Sequence, residues 1–240
     1  MICGLIMSLD FGEIVEPSTR AFWDDYDESE EDRAPLSPLE WNWLNEDNTE
    51  QKIDSIKLFL ILEGQAIASF VGTAVLKGRS PIARLKNGST YIYSIPDQSV
   101  LVCLSEEKNL NNFSRITKKL VPWLDLAQQV IAISFQPSVM HKGTSMKDKE
   151  EACFIRSLNG QHSDVKELEA PNVITGLSAG ALSYRKFTGQ LMASAYVCFL
   201  DSSVLDSVSS QPVLRLLESL SIECDVNYQL KFVEGSNLYL

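Results

Sequence analysis

Residues 176–180 read Gly-Leu-Ser-Ala-Gly, the G-x-S-x-G pattern that places a nucleophilic serine on a sharp turn between a strand and a helix. The preceding NVIT (172–175) has the look of a strand end and the following residues suit a helix, so Ser178 has the local context the chemistry requires. A nucleophilic serine also needs a base within hydrogen-bond reach, normally a histidine that follows it in a chain of this type. The two histidines, His141 and His162, both precede Ser178, and neither lies in a motif of its own. Small residues at 176–181 are therefore read as a place where a helix comes close to a sheet. A small α/β serine hydrolase using Ser178 is the alternative reading.

Other chemistry finds less support. Five cysteines, at 3, 103, 153, 198 and 224, are scattered without a C-x-x-C pair, and with two histidines they do not make a zinc site of ordinary ligand spacing. Three of them sit in apolar runs (VLVCL, ACFI, YVCFL), where a thiol behaves as a small buried hydrophobe. An odd, dispersed set of free cysteines fits a reducing compartment, cytosol or nucleus. Neither G-x-x-x-x-G-K-[ST] nor G-x-G-x-x-G is present, so no phosphate cradle is announced. No metal, no cofactor and no catalytic residue is expected.

Charge narrows the partners. The formal net charge is -11, and seven of the acids stand in the nine residues DDYDESEED (24–32). The rest of the chain is only mildly acidic, and no basic cluster exceeds Lys118-Lys119, which argues against nucleic acid. The acid run lacks the spacing and the glycine of an EF-hand and reads as a solvated, self-repelling block. No stretch approaches the roughly 20 apolar residues of a membrane span, so no membrane insertion is expected, and the start MICGLIMSLD has no basic flank of a signal peptide.

The elements that would position any site begin near residue 56. IKLFLIL (56–62), YIYSI (91–95), VLVCLS (100–105), VIAISF (130–135), ACFIRSL (152–158) and LMASAYVCFL (191–200) are continuously apolar, as strands covered on both faces must be. Between them, 66–76, 112–130, 176–187 and 207–220 have helical spacing. The second of these places Ile116, Leu120, Leu124 and Ala127 on one face with a kink expected at Pro122, and the last has Pro212 near its first turn. Alternating strands and helices predict an α/β sandwich with a mixed central sheet flanked by helices. Residues 1–50 are irregular, acidic and proline-containing and read as a flexible N-terminal arm, though some of Phe22, Trp23, Trp41 and Trp43 are expected to pack back on the domain, with a short linear motif that docks on a partner as the other reading. The organisation expected is an arm (1–50), an α/β domain (51–232) with a surface loop at 141–151, and a short C-terminal tail (233–240).

That tail ends in Leu238-Tyr239-Leu240, a hydrophobic-tyrosine-any pattern like that with which proteasome activators and some assembly factors dock between adjacent α subunits of the proteasome ring. A free carboxylate offers a charge to a pocket lysine, the tyrosine an aromatic body and one hydrogen bond, and the aliphatic residue fills a dry slot. The segment EAPNVITGLSAGALSYRKFTGQLMASAYVCFLD (169–201), the start FGEIVEPSTRAFWDD (11–25) and the α/β pattern together resemble the proteasome assembly chaperone 1 family. The resemblance implies a non-catalytic chaperone that forms a heterodimer with proteasome assembly chaperone 2, holds proteasome α subunits and promotes α-ring assembly of the 20S core particle. It further implies that Leu238, Tyr239 and Leu240 dock in the α-ring pocket, with Ser236 and Asn237 as the approach. The location implied is cytoplasmic, with the nucleus or the endoplasmic reticulum surface as other settings.

Overall fold

Eight strands form one mixed sheet in this computed structural model, which describes residues 38–44, 53–65, 67–143, 151–160, 164–202 and 205–225. The strands are β1 (Trp41–Trp43), β2 (Ile56–Glu63), β3 (Ala83–Leu85), β4 (Thr90–Ile95), β5 (Val100–Ser105), β6 (Ala127–Pro137), β7 (Cys153–Leu158) and β8 (Ala193–Leu200). Their spatial order is β1-β3-β4-β5-β2-β6-β8-β7. The central four, β5, β2, β6 and β8, are parallel, and all pairings outside them are antiparallel.

Helices cover both faces, which is why the central strands carry no polar alternation. On one face lie a single α-turn, α1 (Ala68–Phe70), that runs into a π-turn (Val71–Val75), and α4 (Gln211–Ser219). Phe70, Val71, Leu214 and Leu217 pack there on Leu58, Leu60 and Leu62 of β2. On the other face lie α2 (Leu110–Leu126) and α3 (Gly176–Phe187), whose Ile116, Leu120, Leu177 and Ala181 cover Phe59, Ile61, Cys103 and Ala132. Each fully buried leucine or isoleucine contributes about 2 kcal/mol of transfer free energy. The α/β sandwich with a mixed, helix-flanked sheet is the architecture that the apolar runs predict.

Three boundaries differ from expectation. The helix expected over 112–130 ends at Leu126 and passes straight into β6, so Ala127 is a strand residue; the helix is continuous through Pro122. The cause is Arg185 of α3, which is almost wholly buried. Its guanidinium donates to the carbonyls of Leu124 (2.8 Å), Ala127 (2.9 Å) and Gln128 (3.1 Å). A cation therefore takes the Leu124 carbonyl that a longer helix would have used, together with the next free carbonyls, at the end where the helix dipole is negative. NVIT (172–175) is loop rather than strand. Residues 39–44 lie inside the span read as an arm, yet Trp41–Trp43 pairs with β3 as an edge strand. Trp41 and Trp43 meet Trp123 edge-on at 5.1 and 6.2 Å, the packing-back expected of some of the arm's aromatics. Phe22, Trp23 and most of the 141–151 loop fall outside the described residues.

Arg185 yields a direct test of the helix-to-strand junction. Arg185→Met strands two buried carbonyls and one part-buried one and is expected to lower unfolding free energy by about 2–4 kcal/mol with an unchanged urea m-value. Arg185→Lys, a point charge without the planar fork, should recover less than half of that loss.

Candidate functional site

Glu63 ends β2, one of the two inner strands of the parallel set, and is 8% exposed. It points to the α2/α3 face and meets the start of α3, where the N-cap residue Thr175 makes no side-chain cap bond. The carboxylate supplies what is missing. Oε1 accepts from the Leu177 N–H (2.9 Å), and Oε2 accepts from the Ser178 N–H (2.9 Å) and the Ser178 hydroxyl (2.8 Å). A carboxylate 115 residues away thus caps the helix, where its charge also complements the positive end of the helix dipole. Burial pushes the Glu63 carboxyl above the usual carboxylate range, while the Ser178 and Leu177 N–H groups and the Ser178 hydroxyl pull it back.

Glycines permit the approach. Gly176 sits at φ +75°, and a Cβ there would stand 1.8 Å from Glu63 Oε1. A Cβ on Gly180 would stand 2.4 Å from Thr117 Oγ1 on α2. The first and last residues of the G-x-S-x-G run are therefore fixed by contacts to the sheet and to the neighbouring helix.

Glu63 belongs to a line of polar side chains crossing the sheet at one level. Register pairs Thr90 with Ser105, Ser105 with Glu63, and Glu63 with Ser134, and all four are buried. Thr90 Oγ1 and Ser105 Oγ are 2.9 Å apart. Ser134 Oγ has no hydrogen-bond partner among the described residues. Above Glu63 and Ser134, at the C-terminal ends of the parallel strands, opens a cleft of about 370 Å³, the place where open α/β sheets accept ligands.

Ser178, the sequence's candidate nucleophile, is fully buried, and its hydroxyl donates a hydrogen bond to Glu63 Oε2. His141 packs its ring on Phe154 (5.0 Å) and Phe199 (4.9 Å); His162 lies outside the described residues. Cys103, Cys153 and Cys198 are buried as their apolar runs predict. Burial raises all three thiols, Cys153 to about 12, which makes them poor nucleophiles. Leu238, Tyr239 and Leu240, with Ser236 and Asn237, lie outside the described residues. Sequence reasoning missed Glu63 and Ser134, whose only signal is a polar residue closing an otherwise apolar run (LILE) or interrupting one (VIAISF).

No family model matches the chain, and no curated protein matches it in sequence. Its fold is shared with solved structures. Pyrococcus furiosus PbaA, described as an archaeal homolog of proteasome-assembly chaperone, aligns with TM-score 0.54 and 14% identity over 79% of this chain and 84% of its own. Pyrococcus furiosus PbaB, described as an archaeal proteasome activator, aligns with TM-score 0.52 and 12% identity over 78% and 91%. A Thermoplasma acidophilum protein of unknown function aligns with TM-score 0.54 and 11% identity over 72% and 81%. At these identities the likeness is one of fold.

Two outcomes follow from the geometry at Glu63. Gly176→Ala forces a strained φ and a clash with the carboxylate and should cost at least about 3 kcal/mol, whereas Ser178→Ala removes one hydrogen bond and should cost about 1–2 kcal/mol. A fluorophosphonate probe should leave Ser178 unlabelled in the folded chain; stoichiometric labelling there would restore the hydrolase. The raised Glu63 carboxyl sets a pH trend. Its stabilising contribution is complete below the unfolded value near 4.5 and is lost as pH rises through the folded value. The stability of the parent chain relative to Glu63→Gln should therefore fall as pH rises above about 4.5 in parallel denaturation series.

Proposed function

We propose that this chain is a non-catalytic proteasome assembly chaperone. As a heterodimer with proteasome assembly chaperone 2, it binds proteasome α subunits and promotes assembly of the α ring of the 20S core particle in the cytoplasm. The observation that carries this reading is the fold, shared over about four fifths of the chain with PbaA, whose description is an archaeal homolog of proteasome-assembly chaperone. The likeness to PbaB, described as a proteasome activator, points to the same assembly. The sequence adds the Leu238-Tyr239-Leu240 ending.

The division of labour proposed is an acidic arm preceding the sheet, an α/β body that carries the pairing and ring-facing surfaces, and the 233–240 tail that docks between α subunits. A three-residue peptide buries too little to bind tightly alone, so the tail acts by avidity with the body. Ser178 plays no part in chemistry here, because its hydroxyl is committed to Glu63 beneath the helix.

Affinity capture from cell extract tests the reading. The full chain should recover α subunits together with the sister chaperone. Removing Leu238-Tyr239-Leu240, or replacing Tyr239 by Ala, should weaken α-ring binding about tenfold or more while leaving the heterodimer intact. A one-residue extension after Leu240, which displaces the carboxylate, should act like the deletion. Recovery of neither partner by the full chain would overturn the proposal, and equal ring binding by all variants would remove the tail from it.

A further inference from the structure

The cleft at the C-terminal ends of the parallel strands is a built site that the chaperone reading does not use. Glu63 and Ser134 stand side by side at its base, neighbours in the β2/β6 register. Ser134 is 3% exposed, and its buried hydroxyl has no partner among the described residues, a condition that costs free energy unless something fills it. The Glu63 carboxylate meets only neutral donors, and no described cation pairs with it. Its Oε1 accepts one bond, from Leu177, and retains a lone pair.

Phe113, Phe135, Val173 and Phe199 supply the apolar part of the walls, beside the polar Gln65, Gln136 and Thr175. Reciprocal bonds between the Asn172 side chain and the Lys142 backbone, 2.7 and 3.2 Å, hold the two mouth segments together. The mouth carries Lys108 and Lys142 beside Glu107. These lysines disfavour a ligand with a second positive charge at its outer end.

We propose that this cleft binds a small primary amine with one ammonium group and an apolar body. The ammonium donates to Glu63 Oε1 and to Ser134 Oγ at the base, and the body lies between Phe113, Phe135 and Val173. The three donors of an ammonium match the free acceptor sites, and its charge answers a buried carboxylate that otherwise has no counter-ion. The inference rests on the cleft alone and stands or falls separately from proteasome binding.

Benzylamine is the probe, with benzyl alcohol and benzoate as neutral and anionic counterparts, each titrated into the full chain and followed by the backbone amide signals of Leu177 and Ser178. Benzylamine should give saturable shifts with a Kd below about 1 mM, and benzyl alcohol should bind at least tenfold more weakly. Ser134→Ala should weaken benzylamine binding about tenfold. Val173→Trp, which fills the cleft from an exposed position without touching its base, should abolish binding. Absence of saturable shifts, equal binding of the alcohol, or undiminished binding by either variant would overturn the proposal. In the case of undiminished binding by Ser134→Ala, the hydroxyl serves only an enclosed water.

Discussion

Helix α3 is held at both ends by buried charge, and the architecture on its face of the sheet depends on that double anchor. At its start Glu63 accepts three hydrogen bonds from Leu177 and Ser178. Near its end Arg185 reaches across to the carbonyls where α2 becomes β6. Each charge meets the helix terminus of complementary sign, and each satisfies backbone groups that would otherwise be buried without partners. The two anchors do different structural work. Glu63 fixes α3 to β2, whereas Arg185 lets a helix become a strand without an intervening loop.

The same anchor accounts for a motif that resembles an active site. A serine nucleophile must be reachable by substrate and hydrogen-bonded to a base that can take its proton and return it. Ser178 is inaccessible and hydrogen-bonded to a carboxylate occupied with two helix N–H groups. Glycines at 176 and 180, which a hydrolase uses for a tight turn, serve here to admit Glu63 and Thr117. Identical local spacing thus arises from packing demands, and only the long-range partner distinguishes the two uses.

What was legible in the sequence follows from range. The long central strands could be read because burial on both faces leaves a continuous apolar signature that needs no knowledge of neighbours. The end of α2 could not, since Ile116, Leu120, Leu124 and Ala127 continue the helical spacing and only Arg185, nearly sixty residues on, ends it. The strands Trp41–Trp43 and Ala83–Leu85 are three residues long, too short for a period to register. Glu63 looked like the polar residue that closes a strand, because its partners lie 114 and 115 residues away. The small-residue reading of 176–181 was correct in kind, but its nearest contacts are a carboxylate and a threonine rather than sheet backbone.

The line Thr90-Ser105-Glu63-Ser134 also bears on how the strands find their alignment. Parallel strands made of valine, leucine and isoleucine are nearly interchangeable along their length, so a shift by two residues preserves both apolar faces and costs little in burial. Polar side chains at one shared level break that degeneracy. Moving β6 by two residues relative to β2 would set Glu63 beside Ala132 or Gln136 in place of Ser134. Moving β5 likewise would part Ser105 from Thr90 and carry a hydroxyl under an apolar helix surface. The row therefore acts as a proofreading mark as well as an anchor: it raises the energy of the near-native alignments that compete with the native one.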